Sequence, residues 1–160
     1  MRLVGYLSAC IAASLLWSLE GACQSKGQDA SLRGLQKVHV LMERGPLSAE
    51  HFESYKSIVS LELRKAGLRI VEDRKDFEDA KDGVVAVAFH QLDRAMSQDL
   101  SLELVVFQQV RSVRTGEALV LPTWRLVDDR RAVVPPNVSE QMLRGGIDKF
   151  LNAWLSVNGR

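Results

Sequence analysis

The spacing of apolar positions first becomes regular in the segment KVHVLME, residues 37–43. Val38, Val40 and Met42 recur at every second position, and the intervening His39 is polar. This period of two is typical of a β-strand with one apolar face. The segment therefore predicts the first strand of a folded domain.

After this strand, apolar residues recur at every third or fourth position, which predicts an amphipathic helix that ends at Ala66. Ser48 precedes it at the position of an N-cap, where a hydroxyl accepts a hydrogen bond from a free amide of the first turn. Gly67 follows it at a position that favours left-handed backbone. LRIV, residues 68–71, predicts a second strand, which a right-handed crossover places parallel to the first.

Three further strands are predicted by apolar runs separated by polar turns. VVAVAF is apolar on both alternating sets and indicates the central strand, and Pro122 lacks an amide donor, which favours a sheet edge or a bulge. The predicted strands are residues 84–89, residues 100–113 and residues 119–127.

A final helix is predicted from Ser139, with apolar residues that share one broad face up to Trp154. Gly146 at the margin of that face either lets the helix approach the sheet closely or simply weakens the helix. Together the elements predict an α/β protein of the α+β two-layer class. Its mixed sheet has four or five strands, the order is β-α-β-β-β-β-α, and two helices cover one face.

The amino terminus has the pattern of a secretory signal peptide over residues 1–23. Arg2 precedes an apolar run from Leu3 to Leu19, and small residues follow. Either this leader is cut or it stays as an anchor, and its length and the lack of a following basic cluster favour export with cleavage. Residues 24–35, QSKGQDASLRGL, indicate a flexible tether, and residues 36–160 indicate a single α/β domain.

Cys23 is a candidate for lipidation because a polar segment follows it directly. A bacterial lipoprotein signal, however, resembles a leucine, two small residues and a cysteine, whereas Leu19 lies one position too far away and Glu20 takes its place. Ordinary cleavage is therefore the favoured interpretation. Contact with a membrane is expected only through an uncut leader or through a lipid on Cys23.

The amino-acid composition of the chain argues against some classes of function and of fold stabilisation. The 160 residues carry 21 Lys and Arg against 20 Asp and Glu, and these charges are interspersed, which argues against nucleic-acid binding. The only cysteines are Cys10 and Cys23, so no internal disulfide is expected in the domain. The domain must then be held together by its apolar core.

No sequence motif indicates catalysis, a cofactor or a metal site. The three histidines lack a second ligand at metal-binding spacing, and G-x-S-x-G and the glycine-rich phosphate loops are absent. We therefore expect no catalytic, cofactor-binding or metal-binding residues. The alternative ligand site is a cleft formed by His90, Asp93 and Arg94 at the end of the central strand, where open sheets often bind ligands.

Apolar residues on the second face of the sheet are the other candidate site. If both helices cover the face that bears Leu102 and Leu104, then Val105 and Phe107, together with Trp124, lack obvious cover. Such a face is either ordinary partly apolar surface or a contact surface for a partner or a second copy. We predict the contact surface.

Three segments resemble small exported bacterial envelope proteins of uncharacterised function, and the resemblance covers residues 32–158. They are LRGLQKVHVLME, LELRKAGLRIV and IDKFLNAWLSVN. More distantly, the pattern of leader, tether, strand-helix-strand and terminal aromatic helix is similar to accessory modules of outer-membrane assemblies such as the curli-secretion lipoprotein. The resemblance implies no catalytic residue, nucleotide, metal or substrate.

The sequence thus predicts an exported, non-enzymatic α/β module, periplasmic or secreted, that acts as a protein-interaction or self-association component of the cell envelope. The alternative function is a periplasmic small-molecule binder or hydrolase that uses the cleft near His90. Its expected partners are a protein or a second copy of the chain, not a nucleic acid.

Overall fold

A computed structural model describes residues 26–72, 82–94, 97–130 and 138–159, apart from the side chains of residues 26–27, 92–98 and 130. These described residues form three helices and five strands. In chain order these are α1 (Lys26–Ala30), β1 (Lys37–Met42), α2 (Ala49–Lys65), β2 (Arg69–Ile70), β3 (Asp82–Arg94), β4 (Ser97–Arg111), β5 (Ala118–Arg130) and α3 (Val138–Asn158).

The five strands form one mixed sheet in the order β2-β1-β3-β4-β5. β1 pairs parallel with both β2 and β3, and the pairs β3–β4 and β4–β5 are antiparallel. The predicted α+β class, the parallel strand-helix-strand unit and the central position of VVAVAF are all confirmed. At the start of β1, Lys37 Nζ lies 3.6 Å from Oδ2 of the buried Asp82 on the neighbouring strand.

All three helices pack on the same face of the sheet, and the main core lies between the two layers. In β1, Val38, Val40 and Met42 are buried while the residues between them are only half-buried, as their alternation predicts. The buried residues of α2 are Tyr55, Val59 and Leu63, which join the strand residues in one cluster.

The predicted ends of α2 are confirmed in detail. Ser48 Oγ accepts a hydrogen bond from the backbone N–H of His51. Gly67 has φ +99°, and the N–H of Leu68 donates to the carbonyl of Leu63, which completes a Schellman-type end. Local side-chain chemistry therefore sets both limits of this helix.

α3 lies against the sheet at Gly146. A Cβ placed on Gly146 would come within 2.9 Å of Leu102 Cδ2 and 3.6 Å of Leu126 Cδ2, whereas a Cβ on Gly145 would meet nothing within 4 Å. Of the two interpretations left open by the sequence, close approach of helix and sheet therefore holds for Gly146. Gly145 has no such contact.

Residues 26–35 are not the flexible tether that their polar composition predicts. Residues 26–30 form α1, and Leu32 and Leu35 are buried in the core. The carboxy-terminal Asn158 accepts a hydrogen bond from Gly34 N–H at 2.7 Å and donates to the carbonyl of Leu32 at 3.1 Å. Two isolated leucines and these tertiary hydrogen bonds order the segment, so the folded unit begins before residue 36.

The predicted signal peptide, Cys23 and residues 24–25 lie outside the described residues. Within the described part of the chain, none of the helices combines the length and apolarity needed to cross a membrane.

Among the described residues, β4 and β5 extend beyond the rest of the sheet and form a two-stranded projection. The pairing of β3 with β4 ends at Gly83 and Gln108, but β4 continues to Arg111 and β5 begins at Ala118. The turn between them includes Gly116 at φ +72°, which agrees with the predicted hairpin. We call residues 109–121 the β4–β5 arm.

Candidate functional site

The register between β4 and β5 shifts next to Pro122, and this shift decides which face Trp124 occupies. Phe107 pairs with Pro122, but the next pair is Val106 with Trp124, so Thr123 is an extra residue on β5. Regular alternation would place Trp124 on the same face as Pro122; one inserted residue reverses that assignment. The bulge and edge position expected for Pro122 are therefore confirmed.

The prediction that Trp124 belongs to the uncovered face is wrong. The indole is 1% exposed and packs edge-on against Phe150 of α3, with ring centroids 5.4 Å apart. Its Nε1 donates a hydrogen bond to Asp29 Oδ1 at 3.1 Å. Trp124 is thus a core residue that joins α1, β5 and α3.

Val105 and Phe107 do lie on the sheet face opposite the described helices, because they alternate with the core residues Leu104 and Val106. Each is only 5% exposed, so neither presents much apolar surface in this chain. On the same face of β5, Val120 pairs opposite Gln109 and Val127 opposite Glu103. These two valines are 43% and 38% exposed and border the Val105–Phe107 region.

A charged cluster crosses three strands of this second face. Glu103 Oε1 accepts a hydrogen bond from Arg125 Nε at 2.8 Å, and Glu103 Oε2 lies 3.5 Å from His90 Nε2. The Glu103 side chain is 9% exposed, whereas those of Arg125 and His90 are each 26% exposed. A carboxylate removed from water in this way requires a cation beside it, so the cluster ties β3, β4 and β5 together.

Of the residues of the proposed cleft, His90 lies within β3 and not at its end, whereas Asp93 and Arg94 are the last two residues of the strand. β3 continues to Arg94, and His90, Asp93 and Arg94 pair with Ser101, Gln98 and Ser97 of β4. The prediction ended the strand near Phe89 because the following residues are polar, but main-chain pairing does not require apolar side chains. The side chains of Asp93 and Arg94 lie outside the described residues, and His90 joins the charged cluster.

The most exposed large apolar side chains on the strands lie on the β4–β5 arm, which the sequence reasoning did not single out. Leu119, Val120 and Leu121 are consecutive on β5 and are 43–44% exposed, and Val113 in the turn is fully exposed. β5 is an edge strand of the described sheet. The sequence did contain an indication of the arm, because the predicted strand 100–113 is much longer than the neighbouring predicted strand 84–89 and must extend beyond it.

No group of three or more metal-binding side chains occurs within the described residues. Two recesses lined by described residues border the parallel strands. One, of about 460 Å³, lies between β1 and α2, and the other, of about 350 Å³, is lined by Lys37, Arg69 and Asn158 among others.

Comparisons with known proteins give structural similarities alone. No family model matches the chain, and no curated protein matches it. Among similar solved structures, the PelC dodecamer from Paraburkholderia phytofirmans is 16% identical, with 87% of this chain and 94% of that chain covered and a TM-score of 0.34.

Two bacterial lipoproteins are also among the similar structures. Lipoprotein GNA1162 from Neisseria meningitidis is 12% identical, with 72% of this chain and 96% of that chain covered and a TM-score of 0.34. A minor lipoprotein from Acinetobacter baumannii is 17% identical, with coverages of 74% and 87% and a TM-score of 0.30. The similar solved structures thus include bacterial lipoproteins, and the likeness is one of fold. At these scores it assigns no function to the chain.

Proposed function

We propose that this chain is an exported, non-enzymatic envelope module that associates with a second copy of itself, or with a protein partner, through the β4–β5 arm. One observation carries the proposal: three consecutive large apolar residues, Leu119, Val120 and Leu121, are more than two-fifths exposed on a two-stranded projection at the sheet edge.

The arm has little support from the described part of its own chain. Its strands extend past the last β3–β4 pair, and a two-stranded hairpin by itself is only marginally stable in water. Edge strands that remain unpaired usually carry charge, proline or a bulge to prevent association. Here Pro122 and the bulge protect one half of β5, whereas residues 118–121 carry no charge.

The two faces of the arm both carry apolar surface. Val120 lies on the same face as Phe107, and Leu119 and Leu121 lie on the opposite face, since they pair with Val110 and Gln108. Val105 and Phe107, the residues first proposed for the contact, lie beside the Val120 face, but at 5% exposure each they add little contact area. Trp124 takes no part because it is buried under α3.

The energy available from the arm suits a reversible association. Complete burial of a leucine or valine side chain contributes about 1.5–3 kcal/mol, so covering the exposed two-fifths of three such residues contributes roughly 2–4 kcal/mol per copy. A symmetric pair of arms doubles this value, and antiparallel pairing of two β5 edges adds main-chain hydrogen bonds.

Export supports placement in the envelope. The leader pattern of residues 1–23 supports export, and Cys23 at its end is the residue that would carry a lipid if the exported protein is tethered to a membrane. The intact mass of the protein from soluble and membrane fractions tests both points, because it reports the cleavage site and any acyl chain together.

Association is tested by charge substitution on the arm with a matched control on α2. The double variant Leu119→Glu/Leu121→Glu places charge where a second copy would pack, and Leu61→Glu changes a leucine that is 51% exposed on α2. We expect light scattering after size exclusion to show an oligomer for the wild type and for Leu61→Glu. The arm variant should be monomeric and should retain its circular dichroism spectrum.

A partner other than a second copy gives a different result. The wild type would then be monomeric, and cross-linking in envelope extracts would join it to another protein through the wild-type arm but not through the charged arm. An oligomer or a cross-link that survives the arm substitutions unchanged would show that the β4–β5 arm is not the contact surface.

A further inference from the structure

The edge of β1 that faces away from β3 is only partly covered by β2. β2 has two residues, and its described hydrogen bonds to β1 reach no further along β1 than Val38, whose carbonyl accepts from Val71 N–H at 2.9 Å. β1 itself continues to Met42. In the described part of the chain, no strand lies beside residues 39–42 on this side.

The direction of the main-chain groups along β1 follows from bonds at its two ends. The carbonyls of Gln36 and Val38 accept bonds from the β2 side, whereas Glu43 N–H donates to Val87 on β3. Successive residues of a strand direct these groups to opposite sides. The N–H and C=O groups of Val40 and Met42 therefore point away from β3, in the direction that β2 would occupy if it were longer.

The 460 Å³ recess lies along this free edge and has α2 as its other wall. On α2 it is lined by every fourth residue along one stripe of the helix, namely Phe52, Lys56, Ser60 and Arg64. Ile70, Val71 and Glu72 close the end nearest β2. A strand edge beside a helix wall is the arrangement in which proteins bind extended peptides by strand addition.

The charges around the recess favour an acidic peptide. Lys56 is exposed and forms no ion pair with another described residue. Arg64 Nη2 lies 3.5 Å from Glu72 Oε1, but both side chains are more than half exposed, which makes this pair weak. Half-buried Phe52 and Ile70 supply apolar contact for side chains that point inward.

We propose that the groove between β1 and α2 binds an extended acidic peptide segment of a partner protein, which adds to the sheet beside Val40 and Met42. The free edge of β1 accommodates about four residues at roughly 3.3 Å per residue. Carboxylates of the peptide would lie near Lys56 and Arg64. In the strand order of the sheet, the groove lies toward the edge opposite β5, so this proposal does not depend on the β4–β5 arm.

The test uses the full chain in a mild detergent and two fluorescein-labelled, end-blocked peptides. One alternates aspartate with valine, and the matched control alternates lysine with valine. We expect the acidic peptide to slow hydrogen exchange at the amides of Val40 and Met42 and to shift their resonances most. The basic peptide should bind roughly ten-fold more weakly, as expected for several exposed charge contacts.

Two variants separate the groove from general surface charge. Lys56→Glu should weaken binding of the acidic peptide by roughly three- to ten-fold, whereas Lys149→Glu, on the exposed side of α3, should leave binding unchanged. Equal effects of the two variants, or no binding of the acidic peptide, would overturn the proposal. So would protection that maps to β5 instead of to Val40 and Met42.

Discussion

Adding one methyl group to α3 at either of two adjacent glycines is expected to have opposite effects on stability. Gly145 and Gly146 both have helical backbone, so alanine at either position should gain about 0.8–1 kcal/mol of helix propensity. At Gly145 the new Cβ meets nothing within 4 Å, and this gain should be retained. Gly145→Ala therefore is expected to raise the free energy of unfolding by nearly 1 kcal/mol.

At Gly146 the same methyl group meets the core. It would lie 2.9 Å from Leu102 Cδ2, closer than carbon atoms pack, and Leu102 is fully buried against α3 and its neighbours. Overpacking of a dense core costs about 1–3 kcal/mol. After subtraction of the propensity gain, Gly146→Ala should lower the free energy of unfolding by up to about 2 kcal/mol.

Urea unfolding followed by tryptophan fluorescence measures both values, since Trp124 and Trp154 are buried in the core. The two variants should differ in the free energy of unfolding by about 1–3 kcal/mol, with the slope against urea unchanged. Equal stabilities for Gly145→Ala and Gly146→Ala would refute the argument that α3 needs a glycine to approach the sheet. A double variant Gly146→Ala/Leu102→Val should recover part of the loss.

Two further predictions concern the contacts that hold the sheet and the amino-terminal segment. Arg125→Met should lower the free energy of unfolding by about 1–3 kcal/mol, because it leaves the nearly buried carboxylate of Glu103 without its closest cation. Adding Glu103→Leu should recover most of that loss, as measured by thermal or urea denaturation. A loss that persists in full in the double variant would mean that the ion pair is not its cause. Asn158→Ala removes the hydrogen bonds to Leu32 and Gly34, so hydrogen exchange at Gly34 N–H should accelerate by roughly ten-fold. Unchanged exchange at this amide would contradict the role assigned to Asn158.

Features that depend on a few consecutive residues are predictable from this sequence. Ser48 and Gly67 end α2 through hydrogen bonds and backbone conformations that involve neighbours within one or two turns. The alternation of Val38, Val40 and Met42 defines the buried side of β1 because side chains of a strand point alternately to its two faces. These local rules led to the correct fold class and to the correct order of the elements from β1 to α3, but not to α1.

Features that depend on distant partners were missed. Leu32 and Leu35 stand alone in a polar segment yet are buried. Hydrogen bonds from Ser31 to Thr123 of β5 and from Trp154 of α3 to Leu35 hold this segment, and both partners lie more than ninety residues away along the chain. β3 likewise continues past His90 because β4 pairs with its backbone, whatever the polarity of its side chains.

The sequence by itself determined the elements from β1 to α3, the parallel strand-helix-strand unit and the edge character of β5, since these follow from hydrophobic period, caps and proline chemistry. Only the tertiary structure decided the candidate surfaces. One extra residue at Thr123 moves Trp124 from the second face into the core, and the end of β3 pairing at Gln108 leaves Leu119, Val120 and Leu121 exposed on the arm. Register and strand overlap are properties of pairs of strands, and a single strand does not encode them.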